Sequence, residues 1–457
     1  MTEIWNLPST WLWASIEEIA ATTSGGTPRR DDSTLYGGSI PWIKSGELKD
    51  GPIFAAEEYI TQKGLDSSSA KLFPKGTVCI ALYGATVGKL GILSIGATTN
   101  QAVCGIFPSR VISPRFLFRF LQFIRPRLVE QGKGGAQPNI SQGIVRRTLV
   151  PVPPLPEQKR IEDETEKQFT RLDAAVGALK RVQANLKRYR AAVLKAAVEG
   201  KTVAQSNESV LPTGWRVDTI QNTVKIIDYR GRTPPFSESG IPHLRSSNIR
   251  RGRAVWDDLA YVSPETYEAY MTRGLPEPGD ILFTTEAPLG EVAPAPTDQK
   301  FSVAQRIMIL RPKENDLDSR FLMYQIISPQ FQAVLYGRGT GTTVTGVSSR
   351  NFRPAQIVVP PLDEQQRIVA EVERRLSVIE ELEMQVEANL KRAERLRQAI
   401  LKRAFEGKLV PQDPADEPAT VLLARIRAER EAKKHATAGA KKGKHAKPPR
   451  TVAAAED

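Results

Sequence analysis

The sequence predicts an α+β protein in which two mixed α/β domains, related by a pseudo-two-fold axis, are separated by two long antiparallel helices that form a coiled coil. The 457-residue chain repeats one plan of roughly 205 residues. Each copy opens with short apolar runs broken by Gly, Pro and Ser, which are typical of a strand-rich domain. Each copy then closes with a long segment of heptad spacing.

The repeat sets the expected boundaries along the chain. We expect a first domain over residues 1–152, a first long helix over 153–200, a linker over 201–210, a second domain over 211–359, a second long helix over 360–407, a C-terminal segment with a short helix over 408–434 and a basic disordered tail over 435–457. A chain of this length with 40% hydrophobic residues can bury several cores.

The two globular domains begin alike, because Leu211–Trp215 echoes Leu7–Trp11. In the first domain, the apolar run Gly76–Tyr83 indicates a strand, and Arg115–Leu128 indicates a helix rich in Phe and Leu. The segment Gln131–Asn139 contains too many glycines for a regular element and is read as a loop. The globular halves have diverged more than the helical halves, which suggests one backbone plan with two different surfaces.

Both long helices carry the same start and stop signals. The first follows Pro153-Pro154 and ends before Gly200, and the second follows Pro360-Pro361 and ends before Gly407. Proline before the first turn, acidic residues within it and glycine after a basic last turn are typical of helix ends. Each helix of about 43 residues would be roughly 64 Å long. Since an isolated helix with an apolar seam would expose that seam to water, the pattern favours a coiled coil.

The heptad spacing predicts the core of this coiled coil. The core positions singled out are Leu172, Leu179, Val182, Leu186 and Tyr189 in the first helix, and Arg375, Ile379, Leu382 and Val386 in the second. Antiparallel pairing would bring Leu179 to Val386 and Val182 to Leu382. Tyr189 would then lie near Arg375, in a cation–π contact that offsets the cost of a charged core residue.

Composition favours an acidic partner. Lys and Arg total 64 against 51 Asp and Glu, a net charge of +13 with a pI near 9.6, and nucleic acid is the usual partner of such a chain. No apolar run approaches the roughly 18 residues of a membrane span, and no signal peptide pattern opens the chain. We therefore expect a cytoplasmic protein with no membrane contact.

Metal chemistry has little support in the sequence. Cys79 and Cys104 lie in apolar, strand-like runs without metal-ligand spacing, and the three histidines are His243, His435 and His445. We interpret both cysteines as reduced core residues and expect no metal site.

Motifs for catalysis are also absent. Gly84–Leu90 resembles a phosphate-binding loop, but it is one residue short and has leucine where Ser or Thr would bind magnesium. Arg232–Phe236 resembles part of the Asn-Pro-Pro-Tyr motif of adenine methyltransferases without its asparagine. No Ser-His-Asp set is evident, whereas an acidic nuclease cluster stays open because Asp and Glu are common. A non-catalytic DNA-binding protein is favoured over a stand-alone DNA methyltransferase or nuclease, and over a repeat scaffold that binds only proteins.

Basic and amide side chains crowd the loops of both domains. Arginine with Asn, Gln or Ser can read base edges, while lysines hold phosphates. The candidate DNA-binding residues are Arg29, Arg30, Lys44, Ser45, Lys49, Lys89, Gln137 and Asn139 in the first domain, and Arg230, Arg232, Arg245, Ser246, Asn248, Arg250, Arg251, Arg253, Arg338, Thr342 and Thr343 in the second.

Several motifs together resemble the specificity (S) subunit of type I restriction-modification enzymes over nearly the whole chain. The motifs are Ile40–Leu48, Gly84–Lys89, Thr99–Ala102, Asn139–Ser141, Val152–Ile161 with its twin Val359–Ile368, and the ending from Lys408–Pro414 through Ile426. The second domain departs from the first, with Ala304-Gln305 where the first has Asn100-Gln101.

The resemblance implies two target-recognition domains, each reading one half of a bipartite target in double-stranded DNA. Such a subunit performs no catalysis. Its implied partners are two methyltransferase (M) subunits, which methylate adenine N6, and restriction/motor (R) subunits, which cut unmodified DNA. S-adenosylmethionine, ATP and magnesium would be bound by those partners and none by this chain. The paired helices would set the length of the unread spacer between half-sites.

Overall fold

The computed structural model describes residues 5–132, 139–200, 211–250, 252–340, 345–429 and 431. The chain folds into two compact units: unit 1 is Met1–Gly177 with Leu390–Asp457, and unit 2 is Ala178–Asn389. Each unit therefore combines one globular domain with segments of both long helices. The linear boundaries given above stay predictions, and the expected linker 201–210 and tail 435–457 lie outside the described residues.

Unit 1 carries the globular domain of the first repeat. Its strands are β1 Leu12–Ser15, β2 Thr22–Ser24, β3 Tyr36–Ile43, β4 Gly51–Ile53, β5 Glu58–Ile60, β6 Val78–Ala81, β7 Leu90–Leu93, β8 Thr98–Thr99, β9 Val103–Ile106 and β10 Leu149–Val152, and its helices are α1 Ile16–Ile19, α2 Gln62–Asp66, α3 Pro114–Gln131, α4 Gln142–Arg147 and the start of the long α5 Leu155–Val198. A five-stranded sheet has the order β2-β9-β6-β7-β4, a three-stranded sheet the order β5-β3-β8, and β1 pairs with β10. The strand expected in Gly76–Tyr83 and the helix expected over Arg115–Leu128 are confirmed as β6 and α3.

Unit 2 repeats this plan. Its strands are β11 Arg216–Thr219, β12 Val224–Asp228, β13 Ile241–Leu244, β14 Ile249–Arg250, β15 Arg253–Ala254, β16 Ala260–Val262, β17 Ile281–Thr284, β18 Val292–Pro294, β19 Ser302–Val303, β20 Ile307–Pro312 and β21 Gln356–Val359, and its helices are α6 Ile220–Thr223, α7 Pro264–Tyr270, α8 Ser319–Ile326, α9 Pro329–Arg338, α10 Ser349–Phe352 and the start of the long α11 Leu362–Phe405. The sheet orders are β12-β20-β17-β18 and β16-β13-β19, with the pairs β11-β21 and β14-β15. Both three-stranded sheets hold one parallel pair, β3 with β8 and β13 with β19. The α+β class and the internal repeat are confirmed.

The end of α11 is built into the core of unit 1. The Phe405 ring lies 5.3 Å from the Phe116 ring and 5.1 Å from the Phe120 ring, both on α3. Ile161 and Phe169 of α5 belong to the same apolar cluster. A buried phenylalanine stabilises a fold by roughly 2–3 kcal/mol, so these contacts fix the long helices firmly to the first globular domain.

Each long helix stops at a glycine in the left-handed region, Gly200 with φ +69° and Gly407 with φ +70°. A Cβ at Gly200 would lie 2.6 Å from Pro212, and one at Gly407 would overlap Pro8. Glycine is required at both positions by the backbone conformation and by the close approach. The end of α5 therefore packs on the opening of the second domain, and the end of α11 packs on the opening of the first.

The long helices run antiparallel within unit 1. Near the start of α5, Ile161 lines one groove together with Phe405. Further along, the Arg397 guanidinium lies 4.4 Å from the centre of the Phe169 ring and pairs with Asp173. Because residue numbers rise along α5 as they fall along α11, the predicted direction is confirmed. In unit 2, Arg190 of α5 pairs with Glu383 of α11 at 3.3 Å.

The heptad register is only partly right. Leu186, Ile379 and Val386 are buried, Leu172, Leu179 and Arg375 are half-buried, and Val182, Leu382 and Tyr189 are exposed at 43%, 39% and 50%. An α-helix has 3.6 residues per turn, so a strict heptad stripe drifts by about 20° per repeat. Placing Val182, Leu382 and Tyr189 in the core was therefore wrong.

The predicted cation–π contact between Tyr189 and Arg375 is also not formed. The Nε atom of Arg375 donates a hydrogen bond to Glu371, one turn earlier, at 2.6 Å. A glutamate four residues away on the same helix face offers the guanidinium a partner in its own helix. The buried α11 position next to Arg375 is Leu376.

Candidate nucleic-acid interface

In unit 1, two predicted DNA-binding residues meet at one carboxylate. The Arg30 guanidinium lies 4.7 Å from the centres of the Tyr36 and Trp42 rings and pairs with Glu58 at 2.8 Å. Lys44 pairs with the same Glu58 at 2.9 Å. Arg30 first, and Lys44 second, lower the pKa of the Glu58 carboxyl. Lys44 also pairs with Glu57 at 3.3 Å, so the cluster holds two cations against two carboxylates.

A tight loop brings Gln101 to this side of the domain. Trp42 Nε1 donates to the Gly26 carbonyl at 3.0 Å, and the Thr27 hydroxyl donates to the Gln101 side-chain oxygen. A Cβ at Gly25 would overlap Thr99, so glycine is needed there. Sequence reasoning omitted Gln101 from the candidate residues, although its segment was among the motifs that carry the resemblance.

Of the other basic candidates of unit 1, Arg29 and Lys89 have local partners. Arg29 is exposed and pairs with Asp31 at 2.6 Å, and Lys49 is exposed. Lys89 pairs at 3.0 Å with Asp50, which also accepts from Arg125. Lys89 therefore belongs to a different cluster from the one around Glu58.

Two polar candidates of unit 1 lie among the described residues, and both are at element boundaries. Ser45 opens a short 3₁₀ helix, Ser45–Glu47, and is half-buried. Asn139 is exposed and faces Tyr83 in an isolated antiparallel bridge. Asn139 is thus free to present its amide to solvent or to a base edge.

Unit 2 has two adjoining clefts of 290 Å³ and 330 Å³ that share Gln305 and Arg306. Arg230 lines the first, and Arg245 and Phe236 line the second. Gln305 and Arg306 therefore line both clefts, although neither was among the candidate DNA-binding residues. Gln305 is the repeat equivalent of Gln101, because Ala304-Gln305 follows β19 as Asn100-Gln101 follows β8.

Carboxylates fix most of the arginines of unit 2. The pairs are Arg230 with Asp228 at 2.9 Å, Arg245 with Asp258 at 3.0 Å, Arg253 with Glu380 of α11 at 2.6 Å, and Arg306 with Glu286 at 2.6 Å. Arg250 donates to the Ser247 carbonyl at 2.8 Å, Arg232 is exposed, and Arg338 is half-buried. Arg253 therefore faces the long helix, whereas the partners of Arg230, Arg245 and Arg306 lie within the globular domain.

Two predicted DNA-binding residues have structural roles. Asn248 is 3% exposed, donates its amide hydrogens to the Val255 and Asp257 carbonyls and accepts from the Arg245 N–H. Ser246 is 7% exposed and donates to the Ala287 carbonyl at 2.9 Å. Both side chains therefore hold a turn of the domain through hydrogen bonds, and their assignment to DNA binding stays a prediction. Gln137, Arg251, Thr342 and Thr343 lie outside the described residues.

The motif that starts each long helix is a structural clamp. In unit 1, the Gln158 amide donates to the Val111 and Pro153 carbonyls, each at 2.9 Å, and accepts from the Ser113 N–H at 2.8 Å. Next to it, Trp11 Nε1 donates to Glu157 at 2.9 Å. The motif therefore joins α5 to the globular domain of unit 1.

Unit 2 repeats this clamp. Gln365 donates to the Asp316 and Pro360 carbonyls at 2.7 and 2.8 Å and accepts from the Asp318 N–H at 2.8 Å. Trp215 Nε1 donates to Glu364 at 3.0 Å. The two repeats thus use the same hydrogen bonds to fix their long helices.

The C-terminal segment packs on unit 1. Residues 419–429 form a helix, and its Leu422 and Ile426 join the core cluster of this unit. Asp416 pairs with Arg160 at 2.6 Å, and Gln412 donates to Glu157. Burial raises the pKa of Glu157, against the opposing effect of its hydrogen bonds from Trp11 and Gln412. The short C-terminal helix predicted from the sequence is confirmed.

Cys79, Cys104 and His243 are buried. Both cysteines are free, as predicted, and burial raises the pKa of Cys104 to about 12. Burial first, and Arg245 second, lower the pKa of His243 to about 4, and its Nδ1 lies 2.8 Å from the Ser302 hydroxyl. Within the described part of the chain, no group of three or more His, Cys, Asp or Glu residues could hold a metal ion. None of the helices that the structure describes could cross a membrane.

The fold and motifs define a class of DNA-specificity proteins, and comparison with known proteins agrees. The family described as the type I restriction modification DNA specificity domain matches residues 8–174 and 236–392. The chain belongs to this family, which confirms the resemblance to S subunits.

Relatives and solved structures extend over most of the chain. The EcoKI specificity subunit of Escherichia coli K12 is 26% identical over 461 residues, covering 93% of this chain and 97% of the relative. The MjaVIII specificity subunit of Methanocaldococcus jannaschii is 22% identical over 417 residues, covering 88% and 94%. A chain from a structure of a type I R-M system has a TM-score of 0.71 at 22% identity, covering 89% of this chain and all of that one. The HsdS subunit from Thermoanaerobacter tengcongensis has a TM-score of 0.53 at 22% identity, covering 89% and 99%. Both structures share the fold.

Proposed function

We propose that this specificity subunit reads a bipartite DNA target, with the globular domain of each unit reading one half. The observation that carries the proposal is that one backbone plan appears twice with different side chains at its exposed loops. Unit 1 presents Arg30, Lys44 and Gln101, whereas unit 2 presents Arg245, Gln305 and Arg306. Equivalent domains with different polar surfaces are suited to reading two different base sequences.

Charge supports DNA as the ligand. The net charge of +13 supplies general attraction to phosphates. Ion pairs hold Arg30, Arg230 and Arg245 in place within the globular domains. An arginine that is already held in position loses less side-chain entropy when it binds a base, which favours recognition of a defined sequence over loose binding.

We propose that catalysis belongs to partner subunits. Two M subunits would transfer a methyl group from S-adenosylmethionine to adenine N6, and R subunits would use ATP and magnesium to cut unmodified DNA. The presence of two repeats supports two M subunits, because each repeat offers an equivalent helix-to-domain junction. The complex would act on chromosomal and incoming DNA in the cytoplasm.

We further propose that the long helices set the spacer between the half-sites. Each helix has 44 residues without a break, and an added heptad lengthens an α-helix by about 10 Å. Insertion of seven residues into both helices should therefore lengthen the unread spacer by about three base pairs, at roughly 3.4 Å per pair, while both half-sites keep their sequence. An unchanged spacer in the methylated motif would contradict this part of the proposal.

Genome-wide mapping of N6-methyladenine in cells with and without this gene tests the function directly. The expected result is one asymmetric bipartite motif, methylated in wild-type cells, unmethylated after deletion and restored by the plasmid-borne gene. The partner M-subunit gene stays intact in all three strains, so loss of the motif reports on specificity. If every methylated motif persists in the deletion strain, the proposed function is wrong.

A further inference from the structure

Three segments of unit 1 meet where strand β6 ends. The Leu82 N–H donates to the Ala102 carbonyl at 2.8 Å, and the Leu82 carbonyl accepts from the Ile140 N–H at 2.7 Å. One residue further on, Tyr83 faces Asn139 in an antiparallel bridge. This hydrogen-bonded junction fixes the backbone of Tyr83, Ala102 and Asn139 relative to one another.

The same junction is present in unit 2. The Thr285 N–H donates to the Arg306 carbonyl at 2.9 Å, and the Thr285 carbonyl accepts from the Val347 N–H at 2.9 Å. Glu286 faces Gly346 in an antiparallel bridge. The hydrogen bonds therefore match residue for residue between the two repeats.

The equivalent positions carry unrelated side chains. In the order of the chain they are Tyr83, Ala102 and Asn139 in unit 1, and Glu286, Arg306 and Gly346 in unit 2. At these positions the two domains share a backbone conformation and carry different side chains. We therefore expect the domains to differ here in the bases that they read. In unit 2 the charged members are accessible, since the side chains of Arg306 and Glu286 are 50% and 36% exposed.

We propose that Arg306 reads a guanine in the half-site of the second domain and that Glu286 positions it. The inference rests on the proposed function and assigns one base pair to one side chain. Arg306 Nε pairs with the Glu286 carboxylate at 2.6 Å, which holds the guanidinium of a residue that lines both clefts. Arginine binds guanine O6 and N7 through two parallel N–H groups.

The backbone of Arg306 is held more firmly than a turn requires. Its carbonyl accepts both the N–H of Thr285, at 2.9 Å, and the Thr285 hydroxyl, at 3.3 Å. Arg306 lies in the short turn between β19 and β20, which anchor it to both sheets of the domain. A reading residue gains specificity when its own backbone and rotamer are fixed before binding.

The neighbouring carboxylate favours a base over a phosphate as the target. Glu286 would repel a phosphate oxygen that approached Arg306, because both are anions. A guanine edge is uncharged. The paired cytosine has an amino group that can donate a hydrogen bond to a carboxylate. The Arg306–Glu286 pair therefore complements a G·C pair in the major groove.

The test compares the methylated motif and the DNA discrimination of wild-type and Arg306→Ala complexes. Methylation mapping in cells identifies the motif. Purified complexes with the partner subunits are then competed with duplexes in which one base pair of that motif is replaced at a time. We expect Arg306→Ala to lower discrimination at a single G·C pair of one half-site by about 10- to 100-fold and to leave the other half-site unchanged. That unchanged half also reports that the complex is folded.

Two further variants complete the test. Glu286→Gln should lower discrimination several-fold at the same base pair only, as expected of a positioning residue. Arg216→Ala removes the same charge from an exposed ion pair with Asp316 and should leave discrimination unchanged at every position. If Arg306→Ala unfolds the domain, Glu286→Gln alone decides the matter.

Two results would overturn the inference. The first is a uniform loss of affinity on all duplexes, which would make Arg306 a phosphate contact. The second is an unchanged motif in both Arg306→Ala and Glu286→Gln. If, in either case, the wild-type motif is lost on deletion of the gene, the proposed function stands and only the role of Arg306 is wrong. If deletion leaves every motif methylated, the proposed function itself fails.

Discussion

Trp42 of unit 1 and His243 of unit 2 occupy the same position in their sheets, each on the middle strand opposite a residue of the parallel neighbour. Around Trp42, Arg30 and Lys44 share the carboxylate of Glu58. In unit 2, each arginine that lines the two clefts pairs with a different carboxylate, as Arg245 does with Asp258. The repeats keep the backbone and redistribute the charges, which is what two readers of different sequences require.

The helix clamp shows the opposite behaviour. Gln158 and Gln365 make the same three hydrogen bonds in the two units. Trp11 and Trp215 donate to equivalent glutamates at nearly equal distances. The two repeats therefore differ in the side chains of their exposed loops and agree in the contacts that hold the helices to the domains.

The clamp supplies the largest predicted effect. Gln365→Ala and Gln158→Ala should each destabilise their own unit by about 4 kcal/mol, because two buried carbonyls and one N–H lose their partner. Hydrogen exchange measured separately for peptides of each unit checks this. Gln385→Ala removes an exposed glutamine bonded to Glu381 and should change stability by less than about 0.5 kcal/mol. Unequal effects of the two clamp variants would show that the units are held differently.

The next effect is a dependence of the stability of unit 2 on pH, which arises from His243. The pKa of His243 is lowered to about 4, so the folded unit leaves it neutral while an unfolded chain would protonate it at about 6.5. Its contribution is constant above pH 6.5. As the pH is lowered below 6.5, the free energy of unfolding of unit 2 decreases, by about 3 kcal/mol at pH 4.

The measurement compares unfolding of unit 2 at pH 7 and pH 5 in the wild type and in His243→Asn. The wild type and the variant carry the same carboxylates, so the difference between them reports on residue 243. The wild type should lose about 1.5 to 2 kcal/mol more than the variant between these pH values. Equal losses would mean that His243 takes up its proton in the folded state.

The smallest effect is the difference between the two tryptophans of the clamp. Trp11→Phe should cost about 2 kcal/mol, because Glu157 is 1% exposed and loses a donor. Trp215→Phe should cost about 1 kcal/mol less, since Glu364 is only half-buried. Thermal unfolding of both variants gives the difference. In a Glu157→Gln background the cost of Trp11→Phe should shrink, and an unchanged cost there would contradict the role given to the buried charge.

Sequence alone predicted the long helices well because proline and glycine mark their ends. The predicted starts after Pro154 and Pro361 agree with Leu155 and Leu362. The prediction of the core residues was less accurate. A heptad pattern assumes 3.5 residues per turn, and the sequence does not show where a straight helix of 3.6 residues per turn departs from that pattern. Val182 and Tyr189 were misplaced for this reason.

The site was harder to predict than the helices. Asn248 has a side-chain amide of the kind that can read a base edge. Its three hydrogen bonds, which the sequence does not reveal, show that it holds a turn. Arg306 was missed because its equivalence to Ala102 is defined by hydrogen bonds between distant segments. A signal for Arg306 did exist, since it follows Gln305 in the segment that matches Asn100-Gln101.

The central claim is that each globular domain reads its own half-site through a shared backbone plan. It is tested most directly by replacing the second domain, residues 211–359, with a copy of the first, residues 7–152, and mapping methylated adenines in cells that contain the partner subunits. The account predicts a new motif in which both halves are the half-site of the first domain. Retention of the original asymmetric motif by this chain would contradict it.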